Sequence, residues 1–349
     1  MSIKGVNMKN VFYFKKINSI GGVESFLYYL SCLYKNFVVM YREGNLEQIK
    51  RLSKNVEVIK YNDKMGTIKC KRFFCNYGLD IPVEAEEKYH IIHCDYKHTN
   101  FKPIMYEGFK YIAVSKVAKK SFEELTGIEA ELIYNPIAIK KIDVPKKEGL
   151  NLISATRLSP EKGGERINKL ATMLDRAGIK YTWDIYTNRH YRWNSRNIHR
   201  QDTKLDLSKE IAESSFLVQL SDHEAFGLSV AESLILGTPV IVTNLPAFRE
   251  IGCIHGENAV ICDLDMKRVD LELIRNGIPP FEYKPPKSNW GKYLKKTPKY
   301  NPNELIEVRT LVRLWDVETD IHYPFNAIAK IRKERVSELE CKGLVERIW

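Results

Sequence analysis

Short apolar runs alternate with amphipathic segments along the first half of the chain. Lys15–Gly22 is a predicted loop, and a helix is predicted from near Val23 because apolar side chains recur after it at helical spacing. Strands that alternate with helices indicate a parallel sheet with right-handed crossovers. The predicted strands are Val11–Phe14, Phe37–Tyr41, Val56–Ile59, then His90–His93 as the fourth and Tyr111–Val114 as the fifth.

The same alternation restarts after a charged linker, Lys140–Gly149. The strands predicted beyond it are Leu150–Ser154, Thr182–Tyr186, Phe216–Leu220, Pro239–Thr243 and Val260–Cys262. We therefore expect an α/β protein with two Rossmann-like domains, residues 1–140 and 149–297, that face each other across a cleft. Ligands of such sheets bind at the carboxyl ends of the strands.

A different pattern follows the second domain. Apolar and polar residues alternate over 306–314, which predicts a half-buried strand. Lys333–Lys342 is a predicted helix that Gly343 ends, and Leu344–Trp349 is a predicted last strand. Residues 301–349 are thus expected to form a small appended α+β module.

The chain of 349 residues carries a net charge of +11, which suggests a polyanionic partner. Residues 1–148 hold 25 Lys/Arg and 17 Asp/Glu, and residues 298–349 hold nine of each, so most of the excess belongs to the first domain. Residues 283–300 add six lysines around Trp290 and Tyr293. This segment is either a surface for nucleic acid or an anionic membrane, or a linker with one docked helical turn.

Several classes of protein are not expected. The first ten residues contain no apolar stretch of signal-peptide length, and no run approaches the ~18 apolar residues of a membrane span. The seven cysteines lack paired spacing, and Cys70 and Cys75 are too far apart for a usual zinc pair. We expect reduced thiols, no transmembrane segment and a cytoplasmic location.

The segment from Ser221 to Asn244 carries the most specific chemistry. It runs from an apolar strand through a turn into a helix of about ten residues that Gly237 ends. Gly227 lets a ligand approach the backbone, and the amides of residues 227–229 would point out of the helix N-terminus towards a diphosphate. Glu224 precedes the helix and Glu232 lies two turns into it, so both carboxylates are expected to face one ligand.

Two further loops follow predicted strands. Arg157 and Lys162 precede the pair Gly163-Gly164, and two cations at that position would neutralise a diphosphate leaving group. Gly21 and Gly22 follow the first strand of the first domain, where they permit close backbone approach.

These three segments, in this order, resemble the retaining glycosyltransferases of family 4, which have the GT-B fold. The resemblance covers about residues 10–297. Its most specific piece is Glu224-Ala-Phe-Gly-Leu-Ser-Val-Ala-Glu232, followed by Leu236-Gly-Thr-Pro-Val. Asn289–Leu294 resembles the last helix of the family, which packs back towards the first domain.

The resemblance implies roles for particular residues. Arg157 and Lys162 would bind the donor diphosphate, and Glu224, as a catalytic residue, would lie beside the transferred sugar. Glu232 would hydrogen-bond the ribose hydroxyls. His93 is implied to contact the donor sugar as a second catalytic residue. The remaining residues implied at the donor site are Phe226, Gly227 and Leu228 of the second domain and Gly21 and Gly22 of the first.

The implied reaction transfers a sugar from a nucleotide-diphosphate sugar, with a UDP-sugar favoured, to an acceptor hydroxyl with retention at the anomeric carbon. The nucleotide sugar is a co-substrate, and no cofactor is expected. No metal is expected either, because no Asp-x-Asp placed for a divalent ion stands out. The alternatives are a non-catalytic sugar-nucleotide-binding scaffold and a GT-B epimerase or hydrolase. A nucleic-acid binder is a third, less favoured interpretation.

The appended module resembles, over roughly 45 residues, small modules encoded in the structural gene clusters of tailed phages. This resemblance suggests a phage-encoded enzyme of the host cytoplasm that glycosylates a virion protein. A glycan and a lipid-linked acceptor remain open alternatives, as does peripheral contact with a membrane. The sequence leaves the oligomeric state open.

Overall fold

The computed structural model describes residues 8–294, 301–317 and 319–348. Its first unit is an α/β layer structure whose elements are β1 (Met8–Ile17), α1 (Gly22–Leu33), β2 (Val38–Gly44), α2 (Leu46–Ser53), β3 (Glu57–Lys60), β4 (Ile68–Cys75), β5 (Val83–Ile92), β6 (Phe109–Ala113), α3 (Lys116–Thr126) and β7 (Ala130–Leu132). The strands form one parallel sheet in the order β3-β2-β1-β4-β5-β6-β7. The parallel sheet expected from the sequence is confirmed.

Two strands of this sheet were not predicted, β4 and β7. In the first half of β4 lysines interrupt the apolar positions, and β7 has only three residues. β4 precedes the run at His90 in the chain and lies between β1 and β5 in the sheet. The run therefore belongs to the fifth strand rather than to the predicted fourth. The strand ends at Ile92, so His93 lies in the loop that follows it. The first predicted loop is also shorter, since β1 continues to Ile17.

The second unit repeats this architecture with β8 (Leu150–Ala155), α4 (Gly164–Arg176), β9 (Tyr181–Tyr186), β10 (Ile198–Gln201), α5 (Ser208–Glu213), β11 (Phe216–Gln219), α6 (Leu228–Ile235), β12 (Val240–Thr243), α7 (Pro246–Glu250), β13 (Ala259–Cys262) and α8 (Leu271–Asn276). Its six strands are parallel, in the order β10-β9-β8-β11-β12-β13. The unpredicted strand β10 contains one apolar residue, Ile198. The helix α6 has eight residues instead of about ten.

The chain then returns to the first unit. Trp290 begins a 3₁₀ turn and is fully buried, with ring centroids 5.3 Å from Phe26 and 5.9 Å from Phe12. The Tyr293 hydroxyl donates a 2.6 Å hydrogen bond to Glu131 beside it. The described part of segment 283–300 is therefore a linker with one docked turn, as one of the two interpretations predicted. Lys295, Lys296, Lys299 and Tyr300 lie outside the described residues.

The C-terminal residues form β14 (Leu305–Thr310), β15 (Leu314–Asp316), β16 (Ile321–Tyr323), β17 (Ile328–Arg332), α9 (Lys333–Cys341) and β18 (Val345–Arg347). An antiparallel sheet β17-β14-β18 packs on α9, and β15 pairs with β16. The single strand predicted over 306–314 is wrong. The chain leaves the sheet after Thr310, whose hydroxyl donates to the Pro324 carbonyl and accepts from the Ala327 amide. The predicted last strand is shorter, and Trp349 lies outside the described residues.

This module covers the β3 edge of the first sheet. The Ser337 hydroxyl of α9 donates a 2.7 Å hydrogen bond to the Val58 carbonyl of β3. The buried Arg347 donates to the same carbonyl at 3.0 Å and to the Glu57 carboxylate at 3.0 Å. An exposed edge strand is a site for unwanted pairing, so these contacts also protect the sheet.

All seven cysteines are free thiols, which agrees with the expectation of reduced cysteines. Burial raises the pKa of four of them to about 12: Cys70, Cys75, Cys253 and Cys262. Among the described residues, no helix combines the length and the apolar character that a membrane crossing requires.

Candidate active site

Three of the longer helices begin at a glycine that offers no side-chain cap. They are α1 after Gly21, α4 after Gly163 and α6 after Gly227. By contrast, Asn45, Ser115 and Asp270 cap α2, α3 and α8 with side-chain oxygens. The first amides of a helix have no carbonyl partner within it, so an uncapped N-terminus offers N–H donors to an anion.

Two of these glycines cannot be replaced without strain. Gly163 has φ +72°, and a Cβ there would lie 1.9 Å from the Leu220 carbonyl oxygen at the end of β11. Gly227 has φ +91°, and a Cβ there would lie 2.7 Å from the Phe248 ring. Both glycines therefore hold the backbone in left-handed conformations and in close contact with a neighbouring element, the end of β11 for Gly163 and α7 for Gly227.

Lys162 and Glu224 meet in a largely buried ion pair of 2.6 Å. The same carboxylate oxygen, Oε1, also accepts from the Ser221 hydroxyl at 2.8 Å and from the Gln219 amide at 3.1 Å. The Asp222 amide donates to the Glu161 carbonyl at 2.8 Å and joins the two loops. The structure thus brings together two of the segments that the sequence singled out.

Arg157, the other predicted cation, is exposed and makes no ion pair with any residue the structure describes. The positive charge of Arg157 opposes the rise in the pKa of Tyr77, a residue of the first unit, to about 12. Its charge is available to an anionic ligand.

The loop of the first unit that contains Gly21 and Gly22 lies beside the N-terminus of α6. The Glu24 carboxylate accepts from the Ser19 amide at 3.1 Å and from the Ser19 hydroxyl at 2.7 Å, which fixes the loop. A Cβ on Gly22 would lie 3.8 Å from Leu228 in the first turn of α6. The N-termini of α1 and α6 therefore meet, one from each unit.

Glu232 is half-buried beside the cleft and has a hydrogen-bond partner different from those of Glu224. The Tyr29 hydroxyl of α1 donates a 2.8 Å hydrogen bond to Glu232 Oε1. Burial raises the pKa of Glu232, whereas the Tyr29 hydrogen bond lowers it. Glu224 and Glu232, predicted to face one ligand, have no bonding partner in common among the described residues.

His93 packs edge-on against Phe26 of α1, with ring centroids 4.8 Å apart. Burial and the neighbouring His90 lower the pKa of His93 to about 3, so the imidazole is neutral at neutral pH. Its Nε2 is buried and bonds no described residue. A neutral ring with an open nitrogen can accept or donate one hydrogen bond to a sugar hydroxyl.

Phe226 differs from the other predicted site residues. Its side chain is 4% exposed and packs in the core of the second unit, with its ring 6.3 Å from that of Tyr134. A ligand can therefore meet Phe226 only through its backbone.

The sequence did not single out several residues around this cleft: Tyr29, Arg51, Gln219, Ser221 and His223. Tyr29 sits among apolar residues at helical spacing and resembles a core position. Arg51 lies on α2, which was not predicted. The His98 and His223 rings lie 5.9 Å apart across the cleft, a juxtaposition that requires the tertiary structure.

Two parallel sheets of Rossmann type with glycine-led helices meeting between them define the GT-B class of fold. Residues 137–268 match the family model described as glycosyl transferases group 1, over less than half of the chain. Nearly all of the matched residues belong to the second unit.

Solved structures support the fold assignment. HepE from Anabaena, in complex with UDP and glucose, has a TM-score of 0.55 at 12% identity, over 77% of this chain and 89% of that one. The lipopolysaccharide outer core galactosyltransferase WaaB has a TM-score of 0.53 at 14% identity, over 77% of this chain and 90% of the WaaB chain. At such identities the likeness shows the fold, and the GT-B expectation is confirmed. No curated protein matches the sequence.

Proposed function

We propose that the chain is a retaining glycosyltransferase that transfers a sugar from a nucleoside diphosphate sugar to an acceptor hydroxyl. The observation that carries the proposal is the set of uncapped N-termini of α1, α4 and α6 beside Arg157 and Lys162. Oriented amides and two cations form a site for a diphosphate. The group 1 domain supports the same chemistry.

In this proposal the protein stabilises charge on the leaving group. As the glycosidic bond breaks, the electron pair goes to the diphosphate, whose oxygens face Arg157, Lys162 and the amides at residues 227–229. Such preorganised electrostatic stabilisation is often the largest catalytic contribution. The acceptor oxygen bonds to the anomeric carbon and its proton passes to the departing diphosphate, so no protein base is required. Arg157 and Lys162 neutralise the diphosphate, so no metal ion is required.

Glu224 and His93 are the side chains proposed to meet the sugar. Glu224 Oε1 is fixed by Lys162, Ser221 and Gln219, which leaves Oε2 without a described hydrogen-bond donor. The neutral His93 contributes a hydrogen bond without adding charge. A UDP-sugar is the favoured donor, and HepE, which shares the fold, was crystallised with UDP-glucose.

Glu224→Gln tests the assignment of the catalytic carboxylate. The amide keeps the size of the side chain but removes its charge, so we expect turnover to fall by about 100-fold while UDP affinity changes little. Steady-state kinetics and calorimetry measure the two quantities. The matched control is Asp222→Asn, two residues earlier, where the acid pairs with Arg166 instead. Unchanged turnover in Glu224→Gln would refute the assignment.

Retention and metal independence are tested on the same reaction. NMR of the product at early times is expected to show the anomeric configuration of the donor, and EDTA is expected to leave the rate unchanged. An inverted product would exclude the retaining mechanism. Conversion or hydrolysis of the nucleotide sugar without an acceptor would favour the epimerase or hydrolase alternative, and binding without any turnover would favour the scaffold.

For the acceptor, we propose a virion protein modified in the host cytoplasm, with a glycan or lipid-linked acceptor as the alternatives. The support is the resemblance of the appended module to phage modules. Intact-mass spectrometry of the cognate capsid and tail proteins, with and without this gene, is expected to show a sugar-sized mass difference. Identical masses would remove the virion acceptor.

A further inference from the structure

The helices α1 and α6 meet at two points across the cleft. At their N-termini a Cβ on Gly22 would lie 3.8 Å from Leu228, and about two turns further along α1 the Tyr29 hydroxyl donates a hydrogen bond to Glu232. Tyr29 is 8% exposed, and it bonds only Oε1 of the carboxylate. Glu232 Oε2 accepts no hydrogen bond from any residue the structure describes.

A second side chain of the first unit crosses at the same end of the cleft. The Arg51 guanidinium of α2 stacks over the Tyr28 ring at 4.1 Å and donates a 3.0 Å hydrogen bond to the Leu205 carbonyl of the second unit. The titratable and charged groups that act on Glu232 are thus Tyr29 from α1, Arg51 from α2 and Asp206 from the loop before α5.

A carboxylate that is partly removed from water needs hydrogen-bond donors to remain charged and fixed in orientation. Tyr29 supplies one donor to Oε1. The vicinal hydroxyls of a ribose can supply the others to Oε2. A side chain of the first unit therefore fixes the orientation of a carboxylate that belongs to the second unit.

We propose that Tyr29 is a positioning residue for the nucleoside half of the donor, holding the Glu232 carboxylate for the ribose hydroxyls across the domain boundary. This inference rests on the proposed function, in which Glu232 binds the ribose. It follows that the nucleoside end of the site is complete only when the two units are in contact, so nucleotide binding and domain closure stabilise each other.

The test compares Tyr29→Phe with Tyr28→Phe by calorimetric titration of the full chain. Tyr28→Phe removes a hydroxyl from the adjacent position of the same helix, where the structure shows no bond to Glu232. The ligands are UDP, GDP and ADP, each paired with its 2′,3′-dideoxy counterpart. Because the substitution removes a hydrogen bond to a charged group, we expect Tyr29→Phe to weaken binding of the preferred nucleotide about tenfold.

The ribose dependence separates positioning from a structural effect. Wild-type protein and Tyr28→Phe should bind the dideoxy ligand more weakly than the ribonucleotide, whereas in Tyr29→Phe this preference should largely disappear. Equal weakening of both ligands by Tyr29→Phe would mean a structural role only and would overturn the inference. The inference would also be overturned if Tyr29→Phe bound both ligands with the same affinities as Tyr28→Phe.

The pH profile gives an independent readout. Burial raises the pKa of Glu232, the Tyr29 hydrogen bond lowers it, Asp206 raises it and Arg51 lowers it. Loss of the Tyr29 hydroxyl therefore raises this pKa further, and a protonated Glu232 is a poorer acceptor. On acidification, affinity should begin to fall at a higher pH in Tyr29→Phe than in wild type, and coincident profiles would contradict the proposal. If wild-type protein binds none of the nucleotides, the proposed function itself fails.

Discussion

The two cations of the candidate donor site are in different electrostatic states. Lys162 is paired with Glu224 in a largely buried contact, so part of its charge is already compensated. Arg157 is exposed and makes no ion pair with a described residue. A diphosphate can therefore gain the full interaction with Arg157 without breaking an internal pair, and a guanidinium suits its paired oxygens.

Arg157→Ala should weaken binding of UDP by at least about tenfold, because a charge-assisted hydrogen bond to phosphate is lost. Binding of uridine, which has no phosphate, should not change, and neither should the free energy of unfolding. Calorimetry with both ligands measures the difference. The matched control is Arg176→Ala, an exposed arginine at the end of α4. Equal losses of UDP affinity in Arg157→Ala and Arg176→Ala would show that only the net charge of the protein affects UDP binding.

His90 gives a pH dependence of stability. It is 1% exposed, and burial lowers its pKa to about 4, from the usual 6.5. Below pH 6.5 the unfolded chain binds a proton that the folded chain binds only near pH 4, so stability falls on acidification through this window. His90→Phe should reduce that slope by up to about 1.4 kcal/mol per pH unit. Urea unfolding at pH 7, 6 and 5 measures the slope, and an unchanged slope would contradict the expectation.

The sequence identifies some site residues and not others for a physical reason. Glu224, Gly227 and Glu232 belong to one local segment, and their spacing reflects a turn and a helix. Tyr29 and Arg51 act through contacts with a unit more than 150 positions away along the chain. Their own neighbours in sequence suggest only a helix face, so the role of each appears when the domains are brought together.

At the scale of elements, the site depends on where helices begin. The turn into α4 requires a glycine whose missing side chain lets the loop lie on the Leu220 carbonyl. This contact sets both the direction of the α4 N-terminus and the position of Lys162, one residue earlier. Backbone geometry and cation placement are therefore linked.

Gly163→Ala should destabilise the protein more than Gly178→Ala. Both glycines have positive φ, +72° and +64°, so both substitutions carry the same backbone strain of about 1 kcal/mol. At Gly178 a Cβ meets nothing within 4 Å, whereas at Gly163 it would overlap the Leu220 carbonyl. We expect an additional loss of about 1–3 kcal/mol at Gly163. Denaturant unfolding of the two variants measures the difference, and equal losses would exclude the steric contribution.

Two of the strands that the sequence missed, β7 and β10, are short. β7 has three residues, and β10 carries one apolar residue in four. Such strands form because a neighbouring strand already offers hydrogen bonds. Their own pattern of apolar and polar residues is therefore too weak to predict them. The strands that carry the predicted site loops, β1, β8 and β11, are strongly apolar and were predicted.

At the scale of the whole molecule, the appended module is attached to the first unit through a buried polar network. Arg347 donates from Nε to both oxygens of Glu340 at 3.1 Å, and it also reaches Glu57 of β3. Burial raises the pKa of Glu340, and the charge and hydrogen bonds of Arg347 oppose that rise. The neutral module is thus part of the first unit, where most of the net charge lies.

Arg347→Met should cost about 3–5 kcal/mol of stability, because it leaves Glu340 buried without its partner. Hydrogen exchange of the β3 amides should accelerate as the module loosens. The control is Arg309→Met, at an exposed arginine that pairs with Glu346 at 3.6 Å. We expect this substitution to change the free energy of unfolding by at most about 1 kcal/mol. If β3 exchange is unaffected by Arg347→Met, this network does not hold the module in place.

The central claim is that a nucleoside diphosphate sugar binds where the two units meet. Thermal unfolding in the presence of UDP-, GDP- and ADP-sugars tests it most directly. At a ligand concentration of 100 times Kd, a ligand that binds only the folded protein adds about 2.7 kcal/mol of stability. We expect one class of nucleotide sugar to stabilise the wild-type protein in a concentration-dependent manner and to stabilise Arg157→Ala less. The absence of stabilisation by every nucleotide sugar would contradict the claim.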